Sequence, residues 1–276
     1  MRTTTRLSGP TLAIALAGLA LSGAALLSGC AAPGGGARGT DPSGVVIPSE
    51  ETEARKRARV RLELASRYFD QGQTNVALEE VKLALATDPG FAEAFNLRAL
   101  VYMRLNDLAL AEDSFRQAQR LSPRDPGTAH NYGWFLCQQR RYDQAAVQFA
   151  VALESLTYTD KAKTWLAQGM CQQQAGQVAE AERSLMHSYE LDPANPITGY
   201  NLTQSLFKRG DLQRAQFYIR RINNSEYANA ESLWLGIKVE RSLGNRQAAE
   251  QLATQLRNRF AQSREYMALE RQAFDE

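Results

Sequence analysis

The sequence predicts an all-α fold, a right-handed superhelical solenoid of about six helix pairs closed by a C-terminal capping helix. Three observations carry this expectation. Alanine recurs at Ala77, Ala111, Ala145, Ala181, Ala215 and Ala249, at spacings of 34, 34, 36, 34 and 34 residues, and a fixed period in this range marks a stacked repeat array. Five residues before each alanine stand Gly72, Asn106, Arg140, Gly176, Gly210 and Gly244, where the chain has to turn between the two helices of a pair. Four residues after the first five alanines come Val81, Phe115, Phe149, Leu185 and Ile219, the return interval of an apolar stripe on a helix.

The first helix of each pair carries its own signature. Twelve residues before the first five alanines stand Ala65, Ala99, Gly133, Gly169 and Thr203, small enough to let two antiparallel helices approach closely. Large residues such as Leu64, Tyr68, Phe95, Tyr102, Tyr132, Leu136, Trp165, Leu202 and Leu206 fill the remaining packing slots of these helices. Pro89, Pro123 and Pro193 close three of the units. The third unit has two extra residues around Leu156 to Lys161, and the sixth has one extra between Gly236 and Ala249. A period of 34, a small residue at the helix crossing and a terminal proline together resemble the tetratricopeptide pattern. The six units occupy residues 58–262. Residues 263–276 form the cap, a helix from about Ser263 to Phe274, because the last repeat of a stack needs a polar outer face.

Ahead of the repeats, Arg2 and Arg6 precede an uncharged apolar stretch from about Leu7 to Leu27, the layout of a secretory signal peptide over residues 1–29. A membrane-spanning helix is disfavoured, because Gly9, Pro10, Gly18, Ser22 and Gly23 dilute the stretch. Leu27-Ser28-Gly29-Cys30 resembles a bacterial lipobox, which implies cleavage before Cys30 and acyl chains on that residue. Several chains together hold far more firmly than one. By resemblance to the sorting signals of such lipoproteins, Ala31 in place of an Asp after the lipidated cysteine implies export to the inner leaflet of the outer membrane. Residues 30–57 then form the lipidated N-terminus and a Gly/Pro/Ser-rich tether.

Composition narrows the function. With 32 basic and 30 acidic residues the formal charge is only +2, so the chain lacks the electrostatic footprint of a nucleic-acid binder. No Gly-rich phosphate loop, metal-spaced His/Cys cluster or Ser/His/Asp arrangement appears. We therefore expect no enzyme, no cofactor, no metal and no small-molecule substrate. His187 reads as a surface residue. His130, on a first helix, either lines a groove or is a buried, hydrogen-bonded imidazole.

Cys137 and Cys171 lie 34 residues apart on first helices of neighbouring units. In an oxidising compartment they form a disulfide, with two packed thiols or a metal pair as the alternatives.

In such a stack the first helices line the inner surface, and one stripe on each is left over from packing. It contains Leu62, Ser66 and Phe69, then Asn96, Leu100 and Met103, then His130, Trp134 and Cys137, then Leu166, Met170 and Gln173, then Tyr200, Gln204 and Phe207. The candidate partner-binding groove is drawn from these: Leu62, Phe69, Asn96, Leu100, Met103, His130, Trp134, Met170, Tyr200 and Phe207. About a third of the stripe is expected to pack between units instead, and for Trp134 both roles stay open. A lining of apolar and aromatic residues with few charges suits a peptide or helix that presents apolar side chains.

Three segments go beyond the generic repeat: His130-Asn131-Tyr132-Gly133-Trp134-Phe135-Leu136-Cys137, Ala167-Gln168-Gly169-Met170-Cys171 and Ser232-Leu233-Trp234-Leu235-Gly236-Ile237. With the lipobox, they resemble the type IV pilus biogenesis and stability lipoproteins, the PilF/PilW family, over nearly all of the mature chain. The resemblance implies a pilotin, an assembly factor for the secretin through which the pilus crosses the outer membrane. It names that secretin, and other pilus assembly proteins, as partners. The rival reading is a lipoprotein adaptor for barrel assembly or cell-wall synthesis.

Overall fold

The computed structural model describes residues 51–274. The segment expected as a signal peptide, Cys30, most of the expected tether and the last two residues lie outside the described part of the chain. Thirteen helices and no strand occur among the described residues. They run as six antiparallel pairs: α1 Glu53–Asp70 with α2 Thr74–Thr87, α3 Ala92–Arg104 with α4 Leu108–Leu121, α5 Pro126–Gln138 with α6 Tyr142–Glu154, α7 Lys161–Gln174 with α8 Val178–Leu191, α9 Pro196–Arg209 with α10 Leu212–Asn223, and α11 Ala230–Ser242 with α12 Arg246–Arg259. A short α13, Arg264–Glu270, follows.

Helix ends follow local chemistry. Asp107, Asp125, Asn195, Asp211 and Asn229 each cap a helix by accepting from backbone N–H groups of its first turn. The six turns inside the pairs all pass through the left-handed region, at Gly72 (φ 77°), Asn106 (60°), Arg140 (58°), Gly176 (76°), Gly210 (82°) and Gly244 (77°). Glycine meets this requirement without a Cβ clash, whereas Arg140 adopts it at a cost.

The small residues at the helix crossings are needed for sterics. A Cβ on Gly133 would lie 2.8 Å from the Phe149 ring, and one on Gly169 would lie 2.7 Å from Leu185 Cγ. In the sixth unit Gly236 lies between two helices, since a Cβ there would collide first with Asn223 Nδ2 of α10 and would reach Leu252 Cδ1 of α12 at 3.0 Å.

Two boundaries differ from expectation. The tether was drawn to residue 57, but α1 begins at Glu53, because the Thr52 side chain accepts from the Arg55 N–H and so caps the helix earlier. The terminal helix was expected to reach Phe274 and stops at Glu270. Gln272, at φ 57°, reverses the chain. Phe274 then stacks on Trp234 with ring centroids 5.2 Å apart, beneath the Arg241 guanidinium at 3.8 Å. The end of the stack is thus closed by an aromatic hook as well as by a helix.

Each odd-numbered helix adjoins the next odd-numbered one, whereas among the described residues no two even-numbered helices adjoin. Helices closer on one side than on the other make that side the inner one, so α1, α3, α5, α7, α9 and α11 form the inner row. Four apolar clusters run along the stack. The cluster between the second and fourth units is the richest in aromatics, with Phe115, Tyr132, Phe135 and Phe149 fully or almost fully buried.

Candidate partner-binding groove

All ten candidate groove residues fall on the inner row, and all ten are half-buried. A helical stripe bounded by neighbouring helices on both flanks shows this degree of exposure, since its side chains lean on the core with one face and meet solvent with the other. Leu62 packs on the N-terminal cluster, Leu100, Met103 and Trp134 on the aromatic one, and Tyr200 and Phe207 on the cluster of the fifth unit. Trp134 thus packs on the core with part of its surface and keeps the rest exposed. Phe69 lies under the Arg104 guanidinium, 3.5 Å from its ring centroid, and its carbonyl accepts from the same group.

The polar members are engaged in holding first helices together. Asn96 Oδ1 accepts from Asn131 Nδ2 at 3.2 Å, linking α3 to α5. His130 Nδ1 lies 2.9 Å from the hydroxyl of Thr164, a fully buried residue, and this links α5 to α7. Burial pushes the pKa of His130 below its ordinary value, with Asp160 opposing and Lys163 assisting the shift, so the ring is a neutral packing link. Gln173 Nε2 donates to Asn201 O at 3.1 Å and to Ser205 Oγ at 2.7 Å, linking α7 to α9. Tyr200 accepts from Gln204 Nε2 at 3.2 Å, and burial raises its pKa, which keeps the phenol protonated.

Cys137 and Cys171 are joined by a disulfide, with Cα atoms 5.7 Å apart and both residues buried. The bridge lies one helical turn from Trp134 and next to Met170, so it ties α5 to α7 beneath the middle of the stripe. What is left open to a ligand is mainly apolar: Leu62, Phe69, Leu100, Met103, Trp134, Met170 and Phe207.

The stripe expected from sequence ends at Phe207. Beyond it α9, α11 and α13 enclose a cleft of about 510 Å³ lined by Tyr200, Gln204, Glu231, Trp234, Lys238 and Arg264, among others. The extra residue in α11 rotates the register of the sixth unit and hides this cleft from a search by period. Trp234 in the third family-like segment was the one available signal.

A solenoid of helix pairs with an apolar stripe on its inner row defines a tetratricopeptide-repeat scaffold, a fold class of binding proteins and not of enzymes. The Tetratricopeptide repeat family matches residues 92–125 and 162–195, the second and fourth helix pairs. The type IV pilus assembly protein PilF of Pseudomonas aeruginosa is 27% identical over 232 residues, which span 84% of this chain and 92% of that protein. The crystal structure of PilW, described as a widely conserved type IV pilus biogenesis factor, superposes with a TM-score of 0.72 at 30% identity, over 78% of this chain and 98% of that one. The structure of Pseudomonas aeruginosa PilF gives the same TM-score of 0.72 at 26% identity, over 80% of this chain and all of that one. The chain belongs to the PilF/PilW family of tetratricopeptide-repeat proteins of type IV pilus biogenesis.

Proposed function

We propose that this chain is an outer-membrane lipoprotein, anchored through Cys30 and facing the periplasm, that acts in type IV pilus biogenesis as a pilotin. It binds a segment of the secretin on the inner stripe and promotes assembly of the secretin ring. The observation that carries this reading is the series of half-buried apolar side chains along the inner row of a protein of this family. Such side chains keep enough contact with the core to hold one geometry and enough exposure to gain from being covered. The disulfide beneath Trp134 and Met170 pre-forms the middle of the groove, which lowers the ordering cost of binding.

The anchor and the assembly role are tested together by Cys30→Ser in cells that make the pilus. The protein should leave the outer-membrane fraction, and secretin multimers should fall well below the wild-type level. Undiminished multimers in a strain lacking this protein altogether would exclude the pilotin role, and full outer-membrane recovery of the Cys30→Ser protein would exclude the lipid anchor.

A further inference from the structure

Antiparallel pairs give the stack two edges. One carries the turns inside the pairs, from Gly72 to Gly244. The other carries the links between pairs and, because the first helices run parallel, their N-termini, including Thr52 at the start of α1. The two edges differ in what they expose. At the turn edge Val76, Leu105, Leu108, Leu110 and Val178 are 36–49% exposed. At the linking edge Leu121 is similar at 45%, but Leu156 is 95% exposed, Leu191 57%, Ile197 55% and Tyr227 52%.

Leu156 is the extreme case, and it sits in the two-residue insertion of the third unit. That loop is fastened at its base, where Tyr158 Oη accepts from the Thr164 hydroxyl at 3.3 Å, the same hydroxyl that meets His130. The tip is thereby held out into solvent by a fixed base. The charges around it balance, with Glu154 and Asp160 against Lys161 and Lys163 and an ion pair of 3.0 Å between Lys163 and Asp160. A contact at this edge would be made by apolar side chains, not by net charge.

We propose that the linking edge rests on the lipid bilayer, with Leu156 inserted deepest and Leu191, Ile197 and Tyr227 at the level of the headgroups. The proposal rests on the lipid anchor argued above. What singles out lipid as the occupant is the point at which the anchored segment joins the fold. About 22 residues separate Cys30 from Thr52, and the segment they form joins the fold at the linking edge, at the start of α1. An acyl anchor on Cys30 would therefore hold this edge, rather than the turn edge, close to the membrane. Tethering raises the effective concentration of bilayer to the millimolar range, so a few apolar contacts too weak to recruit the domain alone are sufficient to orient it. A tyrosine at the rim fits the headgroup zone. In this pose the first helices point away from the membrane and the inner stripe opens sideways, toward a partner embedded in the same bilayer.

The test uses the mature chain with Cys30 replaced by an N-terminal hexahistidine tag, bound to phosphatidylethanolamine/phosphatidylglycerol vesicles that carry a nickel-chelating lipid. Because the chelator stands in for the acyl chains, failure of lipidation in cells leaves this result untouched. The native cysteines are bonded to each other, so Thr157→Cys supplies a single thiol for an environment-sensitive fluorophore beside Leu156, and Gln177→Cys does the same at the turn edge. On vesicles the probe at 157 should shift to the blue and brighten several-fold, the probe at 177 should not change, and adding Leu156→Asp should abolish the response at 157. No change at 157 with the protein shown by flotation to be vesicle-bound would overturn the proposal. So would equal responses at both positions, or a response at 157 that requires added secretin, which would assign the edge to a protein partner.

Discussion

The joint between the third and fourth units and the joint between the fifth and sixth solve the same geometric problem in opposite ways. At the first, the Cys137–Cys171 bond crosses between α5 and α7 inside an aromatic cluster, and glycines at both helix crossings draw the second helices in. At the second, α11 brings a carboxylate, Glu240, to 1% exposure, where Arg220 Nε donates to it at 2.7 Å, Gln216 Nε2 at 2.7 Å and Asn245 Nδ2 at 2.8 Å. One joint centres on a covalent bond in an apolar cluster, and the other on an ionised carboxylate. A repeat array thus specifies the distance between neighbouring units and leaves open what holds them there. The two joints should fail under different conditions, reductant for one and acid for the other.

The largest expected effect belongs to the covalent joint. Closing a loop of this length stabilises the fold by about 3–4 kcal/mol in the chain-entropy account. Paired Cys137→Ala and Cys171→Ala substitutions should lower the urea midpoint by that equivalent, and reductant should destabilise the wild type but not the variant. Equal midpoints for wild type and variant in oxidising buffer would show the bridge to be dispensable.

Next comes the ionised joint. Burial alone would raise the pKa of Glu240, but the hydrogen bonds from Arg220, Asn245 and Gln216 and the charge of Arg220 outweigh it and hold the pKa below its ordinary value of 4.5. A carboxylate whose pKa is lower in the folded state contributes stability above its unfolded value, and that contribution is lost as pH falls through the folded one. Arg220→Ala should cost roughly 2–3 kcal/mol at neutral pH, since it strips the charged partner from a buried anion. It should also flatten the loss of stability below pH 4.5. Melting curves across acid pH check both statements, and an unchanged acid slope in the variant would remove Glu240 from the account.

The smallest effect has the opposite sign. Arg140 occupies a left-handed turn that glycine fills in four of the six units. Arg140→Gly, beside the covalent joint, should stabilise the protein by up to about 1 kcal/mol, as relief of Cβ strain outweighs the entropy that glycine adds to the unfolded chain. A lower melting temperature for this variant would mean that the strain is absorbed elsewhere.

The contrast also shows which features of this protein can be read from sequence. Period and turn position are local properties, so all six left-handed turns fell at the positions inferred from spacing, including the two without glycine. Lateral pairs between first helices were partly accessible too. Cys137 and Cys171, and likewise His130 and Thr164, lie one period apart, yet only the cysteine pair was marked, because its chemistry is self-evident whereas a threonine's is not. The Glu240 network and the C-terminal cleft escaped, because a single extra residue in α11 turns its faces by about 100° and no period remains to follow. The aromatic hook at Phe274 depends on the left-handed turn at Gln272, for which glutamine carries no signal.

On the function proposed above, a secretin segment lies on the inner stripe, with Leu100, Met103, Trp134 and Met170 at its energetic centre. Central apolar anchors usually cost about 2 kcal/mol or more on truncation, roughly thirtyfold in binding. The direct measurement is a pull-down of secretin from solubilised outer membranes by alanine variants at these four positions. Circular dichroism and melting should exclude variants that have lost their fold, as a Trp truncated in a core would cost about 3–5 kcal/mol. Folded variants should retain little secretin, while a Val147→Ala control on the outer helix α6 should retain it fully. Folded variants at all four positions that capture secretin as well as wild type would contradict the claim and place the ligand on the outer face or in the terminal units.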